Sequence, residues 1–305
     1  MTHTPDGKII NNLRDVTTKV LSWNVNGLGD KIKRGIVARY LKRLGPDIVL
    51  LQETHMLGNS CKALDRNGYK MVAHSGFTRG SRGVGILARK TSTLVITKTW
   101  SDPRGRFIII AGTIKGKNIN IGSVYAPPRL HEQTLSELGS TLLQLPEGHL
   151  LIGGDLNITL DNERDRLPVP ATPQTRRPLR DFLEAMGLAD IWRTQHPNLK
   201  QYTYLSGAHG SLSRIDHLLT TLKEVHLFKD TRHLARGTSD HSPMWTEYSH
   251  SYKSERLEIK INPWHLKIPQ IKNKLQREVE HYFVENLGSV SSGITLWEAF
   301  KPVIR

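Results

Sequence analysis

Four consecutive apolar residues in the segment DIVLLQE (47–53) constrain the fold more than any other feature of the sequence. A strand with one face in water alternates apolar and polar residues, so this continuous run predicts a strand covered on both faces. Similar strand-like segments occur at 18–24, 84–89, 106–114, 118–125 and 149–153, and helix-like segments separate them. Strands alternating with helices, and in places joined as hairpins, indicate an α/β layered sandwich of mixed β-sheets.

Helices, loops and turns can be placed between these strands. Apolar residues at helical spacing predict helices over 32–44, around 135–142 and over 179–186, the last stopped by Gly187. The Pro- and Arg-rich stretch 164–178 predicts a loop too polar to pack. The stretch 202–220 predicts a hairpin with small residues at its tip.

The sequence changes in character after position 250. KSERLEIKINPWHLK is polar and poor in strand signals, and a helical pattern then runs through Ile271, Leu275, Val279 and Phe283. A helix of this kind without a partner suggests that a further domain follows. We therefore expect a flexible N-terminus at 1–16, a main domain at 17–250 and a linker with a helical segment at 251–305.

Net charge bears on the partner. The chain has 43 Lys and Arg against 28 Asp and Glu, which gives a net charge of +15. Only nine basic and six acidic residues follow position 250, so most of the excess lies in the main domain. Clustered cations release condensed counterions from a polyanion on binding, which favours a nucleic-acid partner. The alternative is a basic surface without such a role.

Cysteine content and apolar content bear on location. Cys61 is the only cysteine, which excludes an internal disulfide and a zinc site built from several cysteines. A reducing compartment, cytosol or nucleus, is expected. The N-terminal MTHTPDGKIINNLRD lacks the apolar core of a signal peptide, and no stretch approaches the ~20 apolar residues that span a bilayer. We expect a protein that is not secreted and has no membrane partner.

Polar side chains follow several of the predicted strands. They are Asn24, Asn26, Glu53, Asp155, Asn157, Asp216, Asp240 and His241. Catalytic groups and ligands collect at the carboxyl ends of strands in layered α/β folds. A turn explains any one such ending, and Asn24, Asn26, Asp155 and Asn157 could be turn residues. Turns alone do not explain the whole set.

The chemistry of this set suits phosphodiester cleavage. Carboxylates and carboxamides supply the oxygen ligands that Mg²⁺ prefers. A carboxylate bonded to one imidazole nitrogen fixes the tautomer of the ring and favours its protonated form, and Asp216 with His241 suits that arrangement. The alternative for this pair is a structural bond without chemistry.

Six motifs in order resemble a known family. SWNVNG (22–27), QET (52–54), VYAP (124–127), GGDLN (153–157), SRID (213–216) and SDH (239–241) are similar to the endonuclease/exonuclease/phosphatase superfamily, which includes exonuclease III type apurinic/apyrimidinic endonucleases. The wording most resembles the endonuclease at the N-terminus of the second open reading frame of non-LTR (LINE-type) retrotransposons. INPWHLK (261–267) and TLWEAFKPVIR (295–305) resemble the stretch that joins this endonuclease to its reverse transcriptase.

The resemblance implies a fold, a reaction and a setting. The implied fold is a four-layer α/β/β/α sandwich of two mixed β-sheets with a C-terminal helical extension. The implied activity is a Mg²⁺-dependent DNA endonuclease, with Mn²⁺ as a substitute, that leaves 3′-hydroxyl and 5′-phosphate ends. The nick would prime reverse transcription, which implies double-stranded DNA as partner, a C-terminal reverse transcriptase domain and a nuclear location after entry from the cytoplasm. We expect the fragment to be a monomer.

The resemblance also assigns roles to residues. Glu53 binds the metal, with Asn24 and Asp240. Asp155 and Asn157 position the attacking water and a phosphate oxygen, and Tyr125 contacts the scissile phosphate. Asp216 pairs with His241, whose imidazolium stabilises developing charge. Thr203 and Ser239 resemble supporting polar positions at the DNA surface. Asn26 stands where the apurinic enzymes typically have Asp, which agrees with the retrotransposon branch.

DNA contacts beyond the motifs are expected to be mostly with the backbone. Candidate phosphate-binding residues are Arg79, Arg82, Arg104, Arg176, Arg177 and Arg214. The hairpin tip at 206–211, which includes His209, is a candidate to reach a minor groove, and the alternative is a loose loop. His74, His131, His209 and His217 carry no motif and are expected at the surface or in loops. Cys61 is expected to be inert, and the glycines of RGVG (82–85) do not form a nucleotide-cofactor loop.

Three other functions stay open at this point. The first is an exonuclease III or apurinic-type repair nuclease. The second keeps the fold but acts on a phosphomonoester or on RNA. The third is a catalytically silent DNA-binding remnant.

Overall fold

The computed structural model describes residues 17–65, 67–170, 177–207, 210–250, 269–286 and 296. The chain divides into two compact units, Met1–Tyr252 and Lys253–Arg305, and each is described by itself. The predicted flexible N-terminus at 1–16 and the first part of the linker, 251–268, lie outside the described residues.

The first unit is built from strands and short helices in alternation. Its strands are β1 (Thr17–Asn24), β2 (Ile48–Gln52), β3 (Tyr69–Ser75), β4 (Val84–Arg89), β5 (Val95–Ser101), β6 (Phe107–Ile114), β7 (Lys117–Tyr125), β8 (His149–Asp155), β9 (Arg166–Leu167), β10 (Leu188–Asp190), β11 (Tyr204–Ser206), β12 (Ser211–Ser213), β13 (Asp216–Thr221), β14 (Phe228–His233) and β15 (Met244–Ser249). Its helices are α1 (Lys31–Leu44), α2 (His131–Leu142), α3 (Asn162–Asp165), α4 (Pro178–Met186) and α5 (Ile191–Gln195).

Two six-stranded sheets and one small sheet organise these strands. The first sheet has the order β14-β15-β1-β2-β4-β3, and the second has the order β10-β13-β8-β7-β6-β5. The small sheet has the order β11-β12-β9. β1 and β2 are parallel, as are β7 and β8, whereas the other described pairs are antiparallel. Both large sheets are therefore mixed, as predicted.

The alternation of side chains along β2 explains its continuous apolar run. Ile48 and Leu50 belong to the core between the two large sheets, whereas Val49 and Leu51 belong to the core between the first sheet and α1. A third core packs α2 and α4 on the outer face of the second sheet. Full burial of each such aliphatic side chain contributes roughly 1.5–3 kcal/mol. The result is the expected four-layer α/β/β/α sandwich.

Capping residues mark the start of α1 and the ends of α1 and α4. The carboxylate of Asp30 accepts from the backbone N–H of Lys33 and caps the start of α1. α1 ends at Gly45 and α4 ends at Gly187, with φ of 69° and 63°. Glycine adopts this left-handed conformation without a Cβ penalty, so the predicted stop at Gly187 is confirmed.

Two predictions about the loops have different outcomes. The hairpin within 202–220 is confirmed as β11 and β12, after which β13 joins the second sheet. The prediction that 164–178 is a loop too polar to pack is wrong for its first residues. Asp165 has no exposed surface, and β9 pairs with β12. Paired charges make this burial possible, as described below.

The second unit contains one described helix, α6 (Pro269–Asn286). It covers the helical pattern predicted from Ile271 to Phe283, and Val284 on it is 77% exposed. None of the described helices is long and apolar enough to cross a membrane.

Candidate active site

The carboxyl ends of four strands from both large sheets meet at one edge of the sandwich. Asn24 ends β1 and Glu53 follows β2, which is its parallel neighbour. Tyr125 ends β7 directly beside Asp155, which ends β8. The antiparallel strand β13 begins at the same edge, where Asp216 faces Asp155. Residues far apart in the sequence are thereby brought to one place, as the strand-end pattern predicted.

The carboxamide of Asn24 joins the two sheets at this edge. Its Nδ2 donates to Glu53 Oε1 and to Asp155 Oδ2, both at 2.9 Å. Its Oδ1 accepts the backbone N–H of Asn26 at 2.9 Å. The side chain has no exposed surface, and its orientation is fixed by partners on three sides.

Left-handed backbone geometry is concentrated at the site. Asn26, Glu53 and Asn157 have φ of 45°, 49° and 53°. Asp155 Oδ1 accepts from the backbone N–H of Asn157, as Asn24 does from Asn26, so both strand ends form an Asx-type turn. The turn interpretation therefore holds, and the same turns hold the polar groups together. Strained backbone of this kind clusters at functional sites.

His241 lies between two carboxylates. Its Nδ1 is 2.8 Å from Asp216 Oδ2, and its Nε2 is 3.8 Å from Asp155 Oδ2. Burial alone would lower the pKa of His241, but the charges of Asp216 and Asp155 and the bond to Asp216 raise it to about 10. The imidazole is therefore held protonated at neutral pH, with Nδ1–H donated to Asp216.

The two carboxylates differ in their surroundings. Burial raises the pKa of Asp155, the charge of His241 opposes this rise, and the charge of Asp216 adds to it. Burial acts in the same sense on Asp216, but the charge and hydrogen bond of His241 bring its pKa below the usual range. Asp216 is thus the fixed anion of the group, and Asp155 is the carboxylate better able to take up a proton.

The SDH segment is tied to the end of β1. Ser239 Oγ donates to the carbonyl of Asn24 at 2.7 Å and accepts from the backbone N–H of His241 at 3.2 Å. Asp240 Oδ1 accepts from Asn26 Nδ2 at 3.2 Å. Ser239 is nearly buried and Asp240 is partly exposed, so Ser239 orients the site from within.

Tyr125 and Thr203 lie beneath the surface of the site. Burial and the charges of Glu53 and Asp155 raise the pKa of Tyr125, whose hydroxyl is hydrogen-bonded to Glu53. Its phenol is therefore neutral and able to donate. Thr203 has no exposed surface, and its Oγ accepts from the backbone N–H groups of Ile215 and Asp216, both at 3.2 Å. Thr203 therefore holds the backbone at Asp216 from inside the protein and is not at the surface, contrary to its prediction as a surface contact.

The oxygen ligands around Glu53 suit a hard divalent cation. The side chain of Glu53 is 22% exposed, and His55 Nε2 lies 3.2 Å from its Oε2. The atom of Asn24 that faces Glu53 is the amide nitrogen, whereas its Oδ1 faces the backbone of Asn26, so Asn24 holds Glu53 in place and adds no oxygen ligand beside it. The carboxylates of Glu53 and Asp240 carry oxygens of the kind that hard cations prefer. The ligand atoms of Asp155, Asp216 and His241 also lie within 4.8 Å of one another and could hold an ion. These three groups are already bonded or charge-paired among themselves, whereas the carboxylate of Glu53 is partly exposed and open to an ion from outside.

Arg214 and His217 are wrongly placed by sequence reasoning. Arg214 has no exposed surface, and its guanidinium binds Asp165 at 2.8 and 3.0 Å and Asp190 at 2.6 Å. His217 is also buried and bonds to Asp190 at 2.7 Å. Arg214 is therefore not a phosphate contact, because its charge is neutralised inside the protein. Arg193 completes the cluster through Asp165.

The other candidate DNA contacts fall into two groups. Arg79, Arg104 and Arg177 are exposed and Arg82 is partly exposed. Arg104 pairs with Glu137 at 3.3 Å. Arg176 and His209 lie outside the described residues. DNA contact by these arginines and by His209 therefore stays a prediction.

Sequence reasoning also missed a buried polar link between the sheets. Gln52 Nε2 donates to Ser123 Oγ at 3.0 Å and to Ser22 Oγ at 3.3 Å, and Ser123 Oγ donates to the carbonyl of Leu51 at 2.8 Å. The position of Gln52 within the QET motif could have pointed to this link.

Cys61 is buried and its thiol pKa is raised to about 11 by that burial, which agrees with an inert cysteine.

A two-sheet sandwich with carboxylates, a carboxamide and a charged imidazole at one edge defines a nuclease-type phosphoesterase. The chain belongs to the Endonuclease/Exonuclease/phosphatase family, whose model matches residues 21–241. The family assignment from the six motifs is confirmed, and so is the nuclease class.

Relatives and solved structures support the same class. The chain is 29% identical over 206 residues to a Xenopus laevis transposon TX1 uncharacterized 149 kDa protein, covering 65% of this chain and 16% of that protein. It is 27% identical over 215 residues to an exodeoxyribonuclease of Bacillus subtilis (strain 168), covering 64% and 83%. The 3′-5′ exonuclease NExo of Neisseria meningitidis superposes with a TM-score of 0.62 at 26% identity, covering 76% of this chain and all of that one.

A retrotransposon domain shares the fold. The endonuclease domain of TRAS1, a telomere-specific non-LTR retrotransposon, superposes with a TM-score of 0.58 at 18% identity, covering 77% of this chain and 99% of that one. The chain spans only 16% of the Xenopus transposon protein, so it corresponds to a small part of that relative.

Proposed function

We propose that this protein is a Mg²⁺-dependent endonuclease that nicks double-stranded DNA and leaves 3′-hydroxyl and 5′-phosphate ends. The observation that carries the proposal is the convergence of Glu53, Asp155 and the Asp216–His241 pair at one edge of the sandwich. Asn24 connects the first two of these directly, at 2.9 Å to each.

The residues divide the work of phosphodiester hydrolysis. Asp155, with its raised pKa, accepts a proton from the attacking water as the water oxygen bonds to phosphorus and the P–O3′ bond breaks. The departing 3′ oxygen takes a proton from water and becomes the 3′-hydroxyl. Asn157, which is bonded to Asp155, holds the attacking water and a phosphate oxygen beside it. His241 donates from Nε2 to the phosphate oxygens as negative charge grows, while Asp216 keeps its Nδ1 protonated. The phenol hydrogen of Tyr125, which is bonded to Glu53 in this structure, is donated to the phosphate when the substrate is bound.

Metal binding belongs to the carboxylates of Glu53 and Asp240. When bound there, Mg²⁺ supplies charge neutralisation for the phosphate and for the leaving oxygen. Asn24, predicted as a further ligand, instead orients Glu53 through its Nδ2. Lys33 Nζ donates to the carbonyl of Asn26 at 2.7 Å. Burial lowers the pKa of Lys33, and the negative charges of Asp240 and Glu53 oppose this lowering. This lysine offsets part of the local negative charge and keeps the loop that carries Asn26 in place.

Charge and relatives support DNA as the substrate. The net charge of +15 favours a polyanion. The Bacillus relative is named an exodeoxyribonuclease, and the relative in Xenopus is a transposon protein. From the transposon relative together with the resemblance of the six motifs, we infer that the chain acts for a non-LTR retrotransposon, in the nucleus, as a monomeric domain ahead of a reverse transcriptase. The nick would then supply the 3′-hydroxyl that primes reverse transcription.

A plasmid assay tests the nuclease proposal. We expect purified protein to convert supercoiled plasmid to open circles in Mg²⁺, and Glu53→Ala, Asp155→Ala and His241→Ala each to reduce the rate at least 100-fold. Glu184→Ala, on the exposed face of α4, is the matched carboxylate control and should nick as wild type does. Equal nicking by all three site variants would refute the assignment, and binding without nicking would identify a silent remnant. End-mapping of the nicks checks the 3′-hydroxyl and the sequence preference.

An exonuclease is the second candidate, because the Bacillus relative carries that name and the chain covers 83% of it. Covalently closed plasmid offers no end, so nicking of closed circles favours the endonuclease. Degradation only of linear duplex would favour the exonuclease. An abasic-site duplex in the same panel separates repair-type cleavage from both.

A further inference from the structure

An aromatic side chain is exposed beside the site. Phe77 is 44% exposed, and among the described residues it is the only exposed aromatic side chain. It lies in the segment 76–83 between β3 and β4, hereafter the 76–83 loop. Because β4 begins at Val84 opposite Gln52, this loop lies at the same edge as Glu53.

An arginine covers one face of the ring. The Cζ of Arg82 lies 4.5 Å from the ring centroid of Phe77, a cation–π distance. Arg82 Nη1 also reaches the carbonyl of Arg104 at 3.5 Å, and Arg79 on the same loop is exposed. The apolar ring therefore lies against one positive charge, and the same loop carries a second one at Arg79. A surface of this kind suits the stacked bases and phosphates of a nucleic acid.

The loop is fixed to the strand end that carries Glu53. The backbone N–H groups of Thr54 and His55 donate to the carbonyls of Gly83 and Arg82, at 2.9 and 2.8 Å. Gly83 in turn donates to the carbonyl of Gly105 at 3.1 Å. Gly105 has φ of 65°, and a Cβ there would lie 2.9 Å from the backbone of Gly76. The loop that carries Phe77 is therefore held by backbone hydrogen bonds to the segment after β2 and to Gly105.

The charge of the 76–83 loop also acts on a side chain of the site. The charge of Arg82 acts to lower the pKa of Tyr125, against the larger effects of burial and of Glu53. An exposed apolar side chain alone is ordinary on a protein surface. Here the ring combines exposure, an arginine on its face and a rigid connection to the site.

Resting on the proposed DNA substrate, we propose that Phe77, with the guanidinium of Arg82 against its ring, enters a base step of the duplex next to the scissile phosphate. Aromatic and other apolar side chains that enter the minor groove partly unstack a base step, and pyrimidine–purine steps such as TA unstack most readily. Phe77 is therefore a residue that determines specificity. It directs cleavage toward flexible steps without a hydrogen-bonded base code.

A fluorescence experiment on binding tests this proposal. The probe is a 30-base-pair duplex with 2-aminopurine at a central TA step, titrated in Ca²⁺ so that binding is measured without relying on cleavage. We expect wild type to raise the fluorescence several-fold. Phe77→Ala should abolish most of this rise and bind about tenfold more weakly. Phe77→Tyr, which keeps the flat ring, should restore both.

Controls separate this proposal from the nuclease proposal. Leu143→Ala removes an exposed apolar side chain that is 79% exposed at the end of α2, and it should behave as wild type. A Phe77→Ala variant with the fluorescence rise and nick map of Leu143→Ala would overturn the proposal, as would a wild-type protein that leaves the fluorescence unchanged. Failure of wild type to nick plasmid, with a fluorescence rise that still depends on Phe77, would refute only the nuclease proposal.

Discussion

Arg214→Ala is the perturbation that most directly separates the sequence prediction from the structure. If Arg214 contacted DNA, its loss would weaken binding and leave folding unchanged. The structure instead places its guanidinium between Asp165 and Asp190, whose side chains are 0% and 1% exposed. The variant would therefore leave buried carboxylates short of positive charge.

The magnitude follows from the cost of an uncompensated buried charge. Removal of one partner from a buried ion pair costs about 3–5 kcal/mol. Two carboxylates lose a partner here, but Asp165 keeps Arg193 and Asp190 keeps His217. We therefore expect a loss of about 3–5 kcal/mol in the free energy of unfolding, and not twice that value. For a unit of this size the midpoint of thermal unfolding should fall by about 10 °C.

Urea denaturation monitored by circular dichroism is the assay, with Arg104→Ala as the matched control. The side chain of Arg104 is 48% exposed in its pair with Glu137, so the control should change stability by at most about 1 kcal/mol. The reasoning is refuted if Arg214→Ala unfolds as wild type does. A second contrary result would be a slope of log binding constant against log salt concentration that is smaller in Arg214→Ala by about 1, because that would mean the loss of one phosphate contact.

The same cluster predicts a pH dependence. Burial raises the pKa of Asp165 and of Asp190, but the guanidinium of Arg214 opposes burial and brings both pKa values below the usual 3.8. Their contribution to stability is complete above that value and is lost as pH falls through the depressed range. In Arg214→Ala, burial raises both pKa values. The folded variant then takes up protons at higher pH, and its deficit in unfolding free energy should narrow between pH 7 and pH 5.

Three further predictions concern the site. Gly154→Ala would place a Cβ 1.8 Å from a backbone oxygen of the neighbouring strand, so it should cost at least about 3 kcal/mol in urea, whereas Gly29→Ala meets nothing within 4 Å and should be near neutral. Asp216→Asn removes the charge that protonates His241, and single-turnover nicking should fall on the order of 10³-fold with unchanged circular dichroism. Glu53→Gln should raise the Mg²⁺ concentration for half-maximal nicking about tenfold or more, and an unchanged Mg²⁺ requirement would contradict the assignment.

Sequence patterns predicted the layers and the strand ends because both depend on local alternation. The run at Ile48–Leu51 fills two cores at once, which requires a sheet covered on both sides. Asn24, Asp155 and His241 each follow an apolar strand or a turn, and the ordered motifs identified the family. These signals lie within short windows of sequence.

The buried charges could not be predicted in the same way. In SRIDH, strand alternation places His217 on the opposite face from Asp216, but only the packing of α5 and of the segment around Asp165 covers that face. A basic residue after a hairpin has the same local signature whether it faces DNA or a buried carboxylate. The partners of Arg214 lie 24 and 49 positions away, beyond any local pattern.

The hydrogen bond from Ser239 to the carbonyl of Asn24 joins residues 215 positions apart. β15, which follows Ser239 in the chain, pairs with β1, which ends at Asn24. During synthesis, His241 leaves the ribosome long after Asn24 and Glu53 have done so. The group around His241 is therefore complete only after β15, the last strand among the described residues, has paired with β1. For an enzyme that acts on DNA as proposed, this late closure would keep unfinished chains harmless.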